Sequence, residues 1–302
     1  MPETRFTLPS FAKINLTLRV LGRRADGYHE LHTVFQTISL RDELTFRSRD
    51  DEQLELTCDA PDIPCDETNL VHRAAVALRE RYGVSRGASV ELRKKIPAGG
   101  GLGGGSSNAA VTLVGLARLW EIETERQTLA EIGASLGADV PFFLTGGTAL
   151  GTGRGTDIHT LADLPPRHLL LITPDVNVST AEAYKSLNAP ALTKPLSPAN
   201  LTVSRVQAEI SGSLHAMLEN DFERVVYRLY PQIERARSSL VAAGAGKALL
   251  SGSGASVFAL FDSPEERERV SGRLQVETNW QVFACTTVAR ATYVEAFGAD
   301  RF

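Results

Sequence analysis

The chain has 302 residues, of which 43% are hydrophobic and 23% are charged, and its formal net charge is −4. These proportions are typical of a globular protein and exclude a disordered chain, while the length favours about two domains. The acidic balance provides no electrostatic footprint for a nucleic acid. No apolar stretch reaches the ~18 residues of a membrane span, and no apolar signal segment opens the sequence.

The chain contains three cysteines, Cys58, Cys65 and Cys285. Their spacing matches no metal-binding or disulfide pattern, and an odd number favours a reducing compartment. Cys58 and Cys65 could pair, although isolated thiols are the simpler interpretation. Together with the absence of a targeting segment, these features predict a cytoplasmic protein without a membrane or nucleic-acid partner.

Two extended segments open the chain. Residues 11–20 alternate between apolar and polar, which predicts a half-buried strand with Lys13, Asn15 and Thr17 in a row on its polar face. A turn with the sequence GRRADGYH then leads to a second extended run, which begins at Tyr28 and His29. From the pattern alone, the simpler interpretations are a solvated face for the first strand and packing of the two rings at a strand end. The alternative for Tyr28 and His29 is a stacking face and a hydrogen-bonding edge for a base.

The periodicity predicts the next elements in this order: a hairpin over 44–56, a helix over 69–82, a strand over 90–96, and helices over 109–120 and 125–136. The helix caps are predicted at Asp66 or Thr68, at Ser106 or Ser107, and at Thr124.

Residues 95–110, KIPAGGGLGGGSSNAA, place six glycines around Leu102 directly before a predicted helix. Glycines let backbone N–H groups converge, and the helix start adds the positive end of its dipole. This combination predicts an anion site, most naturally for phosphate. It is not a Walker loop, because no Gly-Lys-Ser/Thr follows, and a dinucleotide fingerprint is disfavoured because Ser106 replaces its third glycine.

A single carboxylate, Asp139, lies in the otherwise apolar segment GADVPFF at 137–143. A carboxylate in such surroundings must be paired, hydrogen-bonded or functional, because an isolated buried charge is very costly. From the local sequence, a role as a cap or turn residue and a functional role are equally open. The glycine-rich residues 146–155 are interpreted as structural.

Prolines at 163–167 mark a change of segment, after which strands and helices alternate. The predicted order is a strand at 169–173, a helix at 181–187, a loop at 189–198, helices at 200–210, 214–218 and 221–240 (the last interrupted by Pro231), strands at 247–250 and 257–261, a helix at 264–274 and a strand at 280–288. A second glycine loop, SGSGAS at 251–256, joins two of these strands.

These features together suit phosphoryl transfer, which needs positioning and charge neutralisation more than covalent chemistry. Asp139 would accept the proton of an acceptor alcohol. Lys13 would keep that carboxylate ionised and offset charge at the reacting oxygens. A hydroxyl from Ser107 could help to place Mg²⁺.

The motifs resemble those of the GHMP kinase superfamily, whose signature phosphate loop is similar to residues 97–109. The other segments that carry the resemblance are AKINL at 12–16, RADGYHEL at 24–31, GADVPFFL at 137–144, VSTAEAY at 178–184 and SGSGASVFALF at 251–261. The resemblance implies an α+β fold of two domains. Residues 1–164 would form an ATP-binding domain like the second domain of ribosomal protein S5, and residues 165–302 a ferredoxin-like domain on the substrate side.

The resemblance also implies roles for individual residues, with Lys13 and Asp139 as the catalytic pair and with ATP and Mg²⁺ as cofactors. The residues implied to bind ATP are Pro97, Ala98, Gly99, Gly100, Gly101, Leu102, Gly103, Gly104, Gly105, Ser106 and Ser107. On the acceptor side, Tyr28 would stack on a cytosine, His29 would read its edge, and Tyr184 would form a second aromatic wall. Asn15 and Thr180 would lie near the acceptor alcohol, and residues 251–256 would close over the reacting phosphate.

AKINL together with RADGYH is typical of family members whose acceptor is methylerythritol linked to cytidine diphosphate, in the non-mevalonate route to isoprenoid precursors. A kinase for another small alcohol, such as mevalonate or homoserine, would not need Tyr28, His29 and Tyr184. A non-catalytic nucleotide- or RNA-binding module is a further alternative, because an S5-like domain can bind RNA, but the acidic balance argues against it. A monomer or weak homodimer is expected.

Overall fold

The structure, a computed structural model, describes residues 4–192 and 203–297. The strands are β1 Arg5–Arg23, β2 His29–Ser48, β3 Leu54–Cys58, β4 Ala88–Arg93, β5 Thr148–Gly153, β6 Asp157–Thr160, β7 His168–Pro174, β8 Glu219–Asn220, β9 Ala248–Leu250, β10 Val257–Phe261 and β11 Trp280–Thr286. The helices are α1 Leu70–Tyr82, α2 Gly104–Leu119, α3 Arg126–Leu136, α4 Val140–Phe143, α5 Thr180–Leu187, α6 Val203–Gly212, α7 Leu214–Met217, α8 Glu223–Leu229, α9 Pro231–Ala242, α10 Pro264–Ser271 and α11 Arg290–Ala296. Parts of the predicted loop at 189–198 and helix at 200–210 lie outside the described residues.

The first sheet is built on a long antiparallel pair, β1 and β2, in the strand order β3-β4-β2-β1-β8, with β5 pairing β2 and β6. Both faces of β1 are buried over residues 11–18, so the prediction of a half-buried strand is wrong. The apolar side chains Ala12, Ile14 and Leu16 pack against the second sheet. On the polar face, Lys13 lies against Gly103 and Gly252 of the two glycine loops. An alternating sequence therefore indicates which face of a strand is polar, but it does not indicate whether that face is exposed to solvent.

The hairpin predicted over 44–56 is also wrong, because β4 lies between β2 and β3. Val90 of β4 is paired antiparallel with Phe46 of β2 on one side and parallel with Leu56 of β3 on the other. The turn residues at 49–51 thus begin a connection across β4 and do not join neighbouring strands. Two alternating segments close together in sequence need not pair when a third strand fits between them.

Helices α1 to α4 cover one face of the first sheet, and α2 is buried along most of its length. Helix α2 approaches the sheet closely at Gly115, where there is no Cβ atom. A Cβ atom at this position would lie 2.4 Å from the Phe46 ring. Helix α11 returns from the end of the chain to the same core through Tyr293 and Phe297.

The predicted caps of the first three helices are wrong. Asn69 caps α1 by accepting a hydrogen bond from the Val71 N–H at 2.9 Å, while Asp66 accepts from Thr68. Gly103 occupies the cap position of α2, so that Ser106 and Ser107 lie inside its first turn. The Thr124 hydroxyl bonds the Tyr82 hydroxyl at 2.6 Å, and Glu125 takes the cap position of α3. Several polar residues near a helix start compete for the role, and tertiary contacts decide among them.

The second sheet has the order β11-β7-β10-β9 with antiparallel neighbours throughout, which is the arrangement of a ferredoxin-like domain. The helix predicted over 221–240 is divided into α8 and α9 at Pro231, as expected. The two-residue strand β8, which joins the first sheet by pairing with β1, was not predicted.

The two sheets pack together through a shared hydrophobic cluster. Members from the first sheet are Ala12, Ile14, Leu16, Val34 and Ile38, and members from the second are Leu169, Leu171, Leu249, Phe258 and Leu260. The predicted domain boundary at 164/165 falls in the connection between β6 and β7 and stays a prediction. None of the helices in the described ranges is long and apolar enough to cross a membrane.

Candidate active site

The first glycine loop, residues 97–103, lies directly at the start of the 16-residue helix α2. Gly99, Gly101 and Gly103 adopt φ angles of 67°, 72° and 70°, which side chains other than glycine rarely adopt. The Leu102 side chain is buried in the hydrophobic cluster between the two sheets, which fixes the middle of the loop. The loop borders a cleft of about 370 Å³ whose other lining residues include Ile63, Pro64, Leu70, Leu92 and Lys94. Backbone amides and the positive end of a helix dipole thus face an open cleft.

The second glycine loop, Ser251–Ser256, is fastened to the first by three hydrogen bonds. Their donors are the Ala255 N–H, the Ser256 N–H and the Ser251 hydroxyl, and their acceptors are the carbonyl oxygens of Gly99 (3.2 Å), Gly100 (3.0 Å) and Gly101 (3.0 Å). A Cβ atom at position 101 would lie 2.1 Å from the Ser251 carbonyl oxygen. Only glycine allows the two loops to approach this closely.

Lys13 lies where both loops meet. Its backbone N–H donates to the Leu102 carbonyl at 3.0 Å, and its Nζ lies 3.5 Å from Asp139 Oδ2. A Cβ atom at Gly252 would lie 3.3 Å from the same Nζ. The lysine, the aspartate and the two glycine loops are therefore brought together, although 126 positions separate Lys13 from Asp139 in sequence.

The two charged groups differ in their access to solvent. The Lys13 side chain is 3% exposed, whereas that of Asp139 is 32% exposed and opens toward solvent. Burial lowers the pKa of Lys13, and the neighbouring Asp139 carboxylate opposes that shift. Asp139 precedes α4, but within the described chain its side chain makes no capping hydrogen bond to that helix. A capping role of the side chain is therefore excluded, and its functional role stays a prediction.

Asn15 is a neighbour of Lys13 on the polar face of β1. Its Oδ1 accepts a hydrogen bond from Lys13 Nζ at 2.6 Å, and its Nδ2 donates to the Thr33 hydroxyl at 2.7 Å. The Thr33 hydroxyl in turn donates to the Thr17 carbonyl at 2.8 Å. This buried chain orients the ammonium group toward Asp139.

Aromatic side chains form the neighbouring wall. The His29 ring stacks on Tyr184 with 4.8 Å between ring centroids, and Tyr184 meets Phe222 edge-on. Burial raises the pKa of Tyr184, and so does the charge of Asp139, which lies near enough to act on it. Burial and the Arg23 charge lower the pKa of His29, so its ring is neutral near pH 7.

Tyr28 is separate from this stack. Its side chain is 50% exposed, and the Arg154 guanidinium lies over one face of the ring, 3.6 Å from the centroid. Tyr184 contacts the rings of His29 and Phe222. The arrangement of Tyr28 and Tyr184 as two walls around a cytosine stays a prediction.

Thr180 lies at the start of α5 and reaches the second glycine loop, where its hydroxyl is 2.9 Å from the Ser253 hydroxyl. This contact connects the acceptor side of the candidate site to the loop beside Lys13.

The two serines that follow the glycines differ. Ser107 is fully buried, and its hydroxyl accepts a hydrogen bond from the Ser10 hydroxyl at 2.8 Å, so it does not face the cleft. The expectation that Ser107 helps to hold Mg²⁺ is therefore wrong, whereas Ser106 lines the cleft. Among the described residues, no group of three His, Cys, Asp or Glu side chains is arranged to hold a metal.

Several residues of the site were not found from the sequence. The cleft wall contributed by 63–64 carries no motif, and Asp42, which binds the residues just before the loop, lies in the unremarkable strand segment SLRDEL. The run of basic residues at 93–95 indicates a charged Lys94 but does not indicate its acidic partner, Asp42.

Family models match both halves of the chain. Residues 69–147 match the N-terminal domain of the GHMP kinases, and residues 205–277 match the C-terminal domain of the GHMP kinases. The chain belongs to the GHMP kinase family.

Individual relatives narrow the comparison. The chain is 42% identical to the 4-diphosphocytidyl-2-C-methyl-D-erythritol kinase of Moorella thermoacetica over 271 residues, which cover 89% of this chain and 94% of the relative. It is 41% identical to the enzyme of the same name from Chlorobaculum parvum, covering 90% and 96%. A crystal structure of 4-(cytidine 5'-diphospho)-2C-methyl-D-erythritol kinase superposes with a TM-score of 0.75 at 33% identity, covering 93% of this chain and 99% of that one. A homoserine kinase from Cytophaga hutchinsonii shares the fold, with a TM-score of 0.67 at 22% identity over 94% and 95% of the chains.

Proposed function

We propose that this protein transfers the γ-phosphoryl group of ATP to the 2-hydroxyl of 4-diphosphocytidyl-2-C-methyl-D-erythritol, a step of the non-mevalonate pathway to isoprenoid precursors. The observation that carries the proposal is the Lys13–Asp139 pair, 3.5 Å apart, at the junction of the two glycine loops. The names of the relatives with 41–42% identity supply the acceptor.

The first glycine loop would bind the ATP phosphates. Its amides lie at the start of α2, where N–H groups and the helix dipole favour negative charge. The adenosine part would enter the neighbouring cleft, whose apolar walls at Ile63, Leu70 and Leu92 suit a flat base. The close contact between Gly101 and Ser251 would keep the amides in place while the phosphates bind.

Mg²⁺ would arrive on the nucleotide and not on a prebuilt protein site. The residues present fit this role, because the hydroxyl of Ser106, a residue that lines the cleft, and the Asp139 carboxylate are oxygen donors of the kind that Mg²⁺ prefers. When bound, the ion would neutralise phosphate charge.

Asp139 would accept the proton of the 2-hydroxyl as its oxygen attacks the γ-phosphorus. A bond forms between that oxygen and the phosphorus, and the bond between phosphorus and the bridging β–γ oxygen breaks, releasing ADP. The Lys13 ammonium, held by Asn15, would stabilise the carboxylate and the negative charge at the reacting oxygens. Its burial makes this interaction stronger than it would be in water.

The acceptor would bind beside this pair. Tyr28 offers one open ring face for the cytosine, and His29, neutral near pH 7, offers a hydrogen-bonding edge. Asn15 and Thr180 would border the methylerythritol part, since Asn15 contacts Lys13 and Thr180 contacts the second glycine loop. Tyr184, which stacks on His29, would form a second aromatic wall for the cytosine.

The test is an ADP-release assay with Mg-ATP and three acceptors in parallel: the cytidyl alcohol, mevalonate and homoserine. We expect ADP release in the presence of the cytidyl alcohol and none in the presence of mevalonate or homoserine. Faster turnover of mevalonate or homoserine would overturn the acceptor assignment. ATP binding without ADP release on any acceptor would overturn the kinase assignment and favour a binding module. A cytoplasmic location, a monomer or weak homodimer, and the absence of a nucleic-acid partner remain parts of the proposal.

A further inference from the structure

We infer that Asp42 is a positioning residue for the nucleotide: its carboxylate ties the beginning of the first glycine loop to its end and fixes Lys94 at the edge of the cleft. The inference rests on the proposed ATP-binding role of this loop. Asp42 does not line the cleft itself, so it acts through the residues that it binds.

The Asp42 carboxylate is fully buried and accepts four hydrogen bonds. Oδ1 accepts from the backbone N–H groups of Lys95 at 2.7 Å and Ile96 at 2.8 Å. Oδ2 accepts from Asn108 Nδ2 at 3.0 Å and from the Lys94 ammonium. Both oxygens are therefore used, and each has two donors.

These donors lie on both sides of the glycine loop. Lys95 and Ile96 immediately precede Pro97, and Asn108 lies on α2 just after the serines. One carboxylate thus spans the segment that contains all six glycines. Glycines have little conformational preference of their own, so the shape of such a loop depends on contacts at its ends together with those that the second glycine loop makes to its middle.

Lys94 gives the arrangement a consequence for the ligand. Its side chain is 10% exposed, it lines the cleft, and its Nζ lies 3.3 Å from where a Cβ atom at Gly104 would be. The ammonium is thus held against the first turn of α2, where the helix dipole alone would repel a cation. The buried Asp42 carboxylate makes that position favourable and keeps a positive charge beside the phosphate amides.

The substitution Asp42→Asn tests this role with little change in shape. The asparagine oxygen can still accept from Lys95 and Ile96, but its NH₂ group would face two donors, Lys94 Nζ and Asn108 Nδ2. We expect the Kd for ATP, measured by titration calorimetry without acceptor, to rise about tenfold or more. The KM for the acceptor should stay within about twofold of wild type, because the acceptor side has no contact with this carboxylate.

The matched control is Asp59→Asn. The Asp59 Oδ1 accepts from the backbone N–H of the same Lys94 at 2.8 Å but is exposed, and an asparagine oxygen can replace it. This variant should bind ATP as the wild type does. An unchanged Kd in Asp42→Asn would overturn the inference, and so would an equal weakening of ATP and acceptor, which would indicate a purely structural role.

A second variant keeps the test decisive if Asp42→Asn fails to fold. Lys94→Met keeps the carboxylate with its three other donors, and we expect it to weaken ATP binding while leaving the acceptor KM unchanged. In the double variant the two losses should be less than multiplicative, because both remove the same pair. Independent, multiplicative losses would overturn the inference. If the wild-type protein binds no ATP, the proposed function is wrong. If the wild type binds ATP and the variants bind it with the same Kd, only the inference about Asp42 is wrong.

Discussion

The side of the site assigned to the nucleotide is formed mainly by main-chain atoms, whereas the side assigned to the acceptor is formed by side chains. On the nucleotide side, two glycine loops contact each other through carbonyl and amide groups, and Gly101 leaves no room for a Cβ atom. On the acceptor side, Tyr28 is half exposed and His29 lies on Tyr184.

This difference separates the part of the site that would bind the phosphates from the part that would select the acceptor. Backbone amides recognise phosphate in any nucleotide, so their geometry can be shared by kinases with many acceptors. Side chains on a turn can be exchanged without moving the loops, so selectivity belongs there. The Lys13–Asp139 pair lies between the two sides and should respond differently from either.

The largest effect is expected for Asp139→Asn, which keeps the shape but removes the base. We expect kcat to fall by about 10²- to 10⁴-fold, the range for loss of a general base, with the Kd for ATP nearly unchanged. Asp262→Asn, at the opposite end of β10 from the second glycine loop, serves as the control and should retain full turnover. Near-normal turnover of Asp139→Asn would exclude the base role.

The nucleotide side is tested by Gly101→Ala. Its Cβ atom would lie 2.1 Å from the Ser251 carbonyl oxygen, and the φ of +72° is unfavourable for alanine, so the loops must separate. Backbone strain of this kind costs about 1–3 kcal/mol. We expect the free energy of ATP binding, measured by calorimetric titration, to become less favourable by a similar amount. Gly212→Ala is the control, because a Cβ atom there meets nothing within 4 Å. Unchanged ATP binding would show that the loop contact is dispensable.

The acceptor side is tested by Tyr28→Ala. Stacking of a base on an aromatic ring contributes about 1–3 kcal/mol, so we expect the acceptor KM to rise accordingly while the ATP Kd stays constant. Tyr28→Phe keeps the ring and should behave like the wild type. If the alanine variant keeps a normal acceptor KM, the ring has no part in binding the cytosine.

A smaller effect is expected from pH through His29. Its pKa lies below the ordinary 6.5, so the ring is neutral above that value and gains a charge only on further acidification. We expect the acceptor KM to be constant above about pH 7 and to rise only at more acidic pH. His29→Gln should remove this rise without altering the pH profile of the ATP Kd. A change centred above 6.5 would contradict the lowered pKa.

The smallest effect is expected for Arg154→Leu. The guanidinium covers one face of Tyr28 and should hold the ring ready for the base on its other face. An exposed cation–π contact contributes about 0.5–1 kcal/mol. We therefore expect acceptor binding to become less favourable by about this amount. Arg154→Lys keeps a cation and should lose less. If leucine and arginine give equal acceptor KM values, Tyr28 is positioned without this contact.

The glycine loop before α2 could be predicted from local sequence, because its chemistry is contained in one continuous segment. Lys13 and Asp139 could be proposed as a pair only from the combination of motifs and the family resemblance, since no local pattern connects residue 13 with residue 139. The polar face of β1 looked solvated because alternation does not show which loops later cover it. The 44–56 hairpin failed for a similar reason, because the intervening strand β4 lies about forty positions further along.

Asp42 could not have been found from its own segment. Its four donors come from two other parts of the chain, and an aspartate is most often exposed. Burial of a polar group is decided by tertiary packing, so residues that position a motif are harder to recognise than the motif itself.

The shared cluster between the two sheets has a consequence for engineering. Ala12 and Ile14, which flank Lys13, belong to the same buried cluster as Leu169 and Phe258 of the second sheet. A fragment truncated after β6 would expose this apolar surface and leave the lysine strand without its backing. Chimeras that exchange one half with a related kinase should therefore be built with the facing layer of side chains transplanted as well, since otherwise the ammonium group would be displaced from its carboxylate.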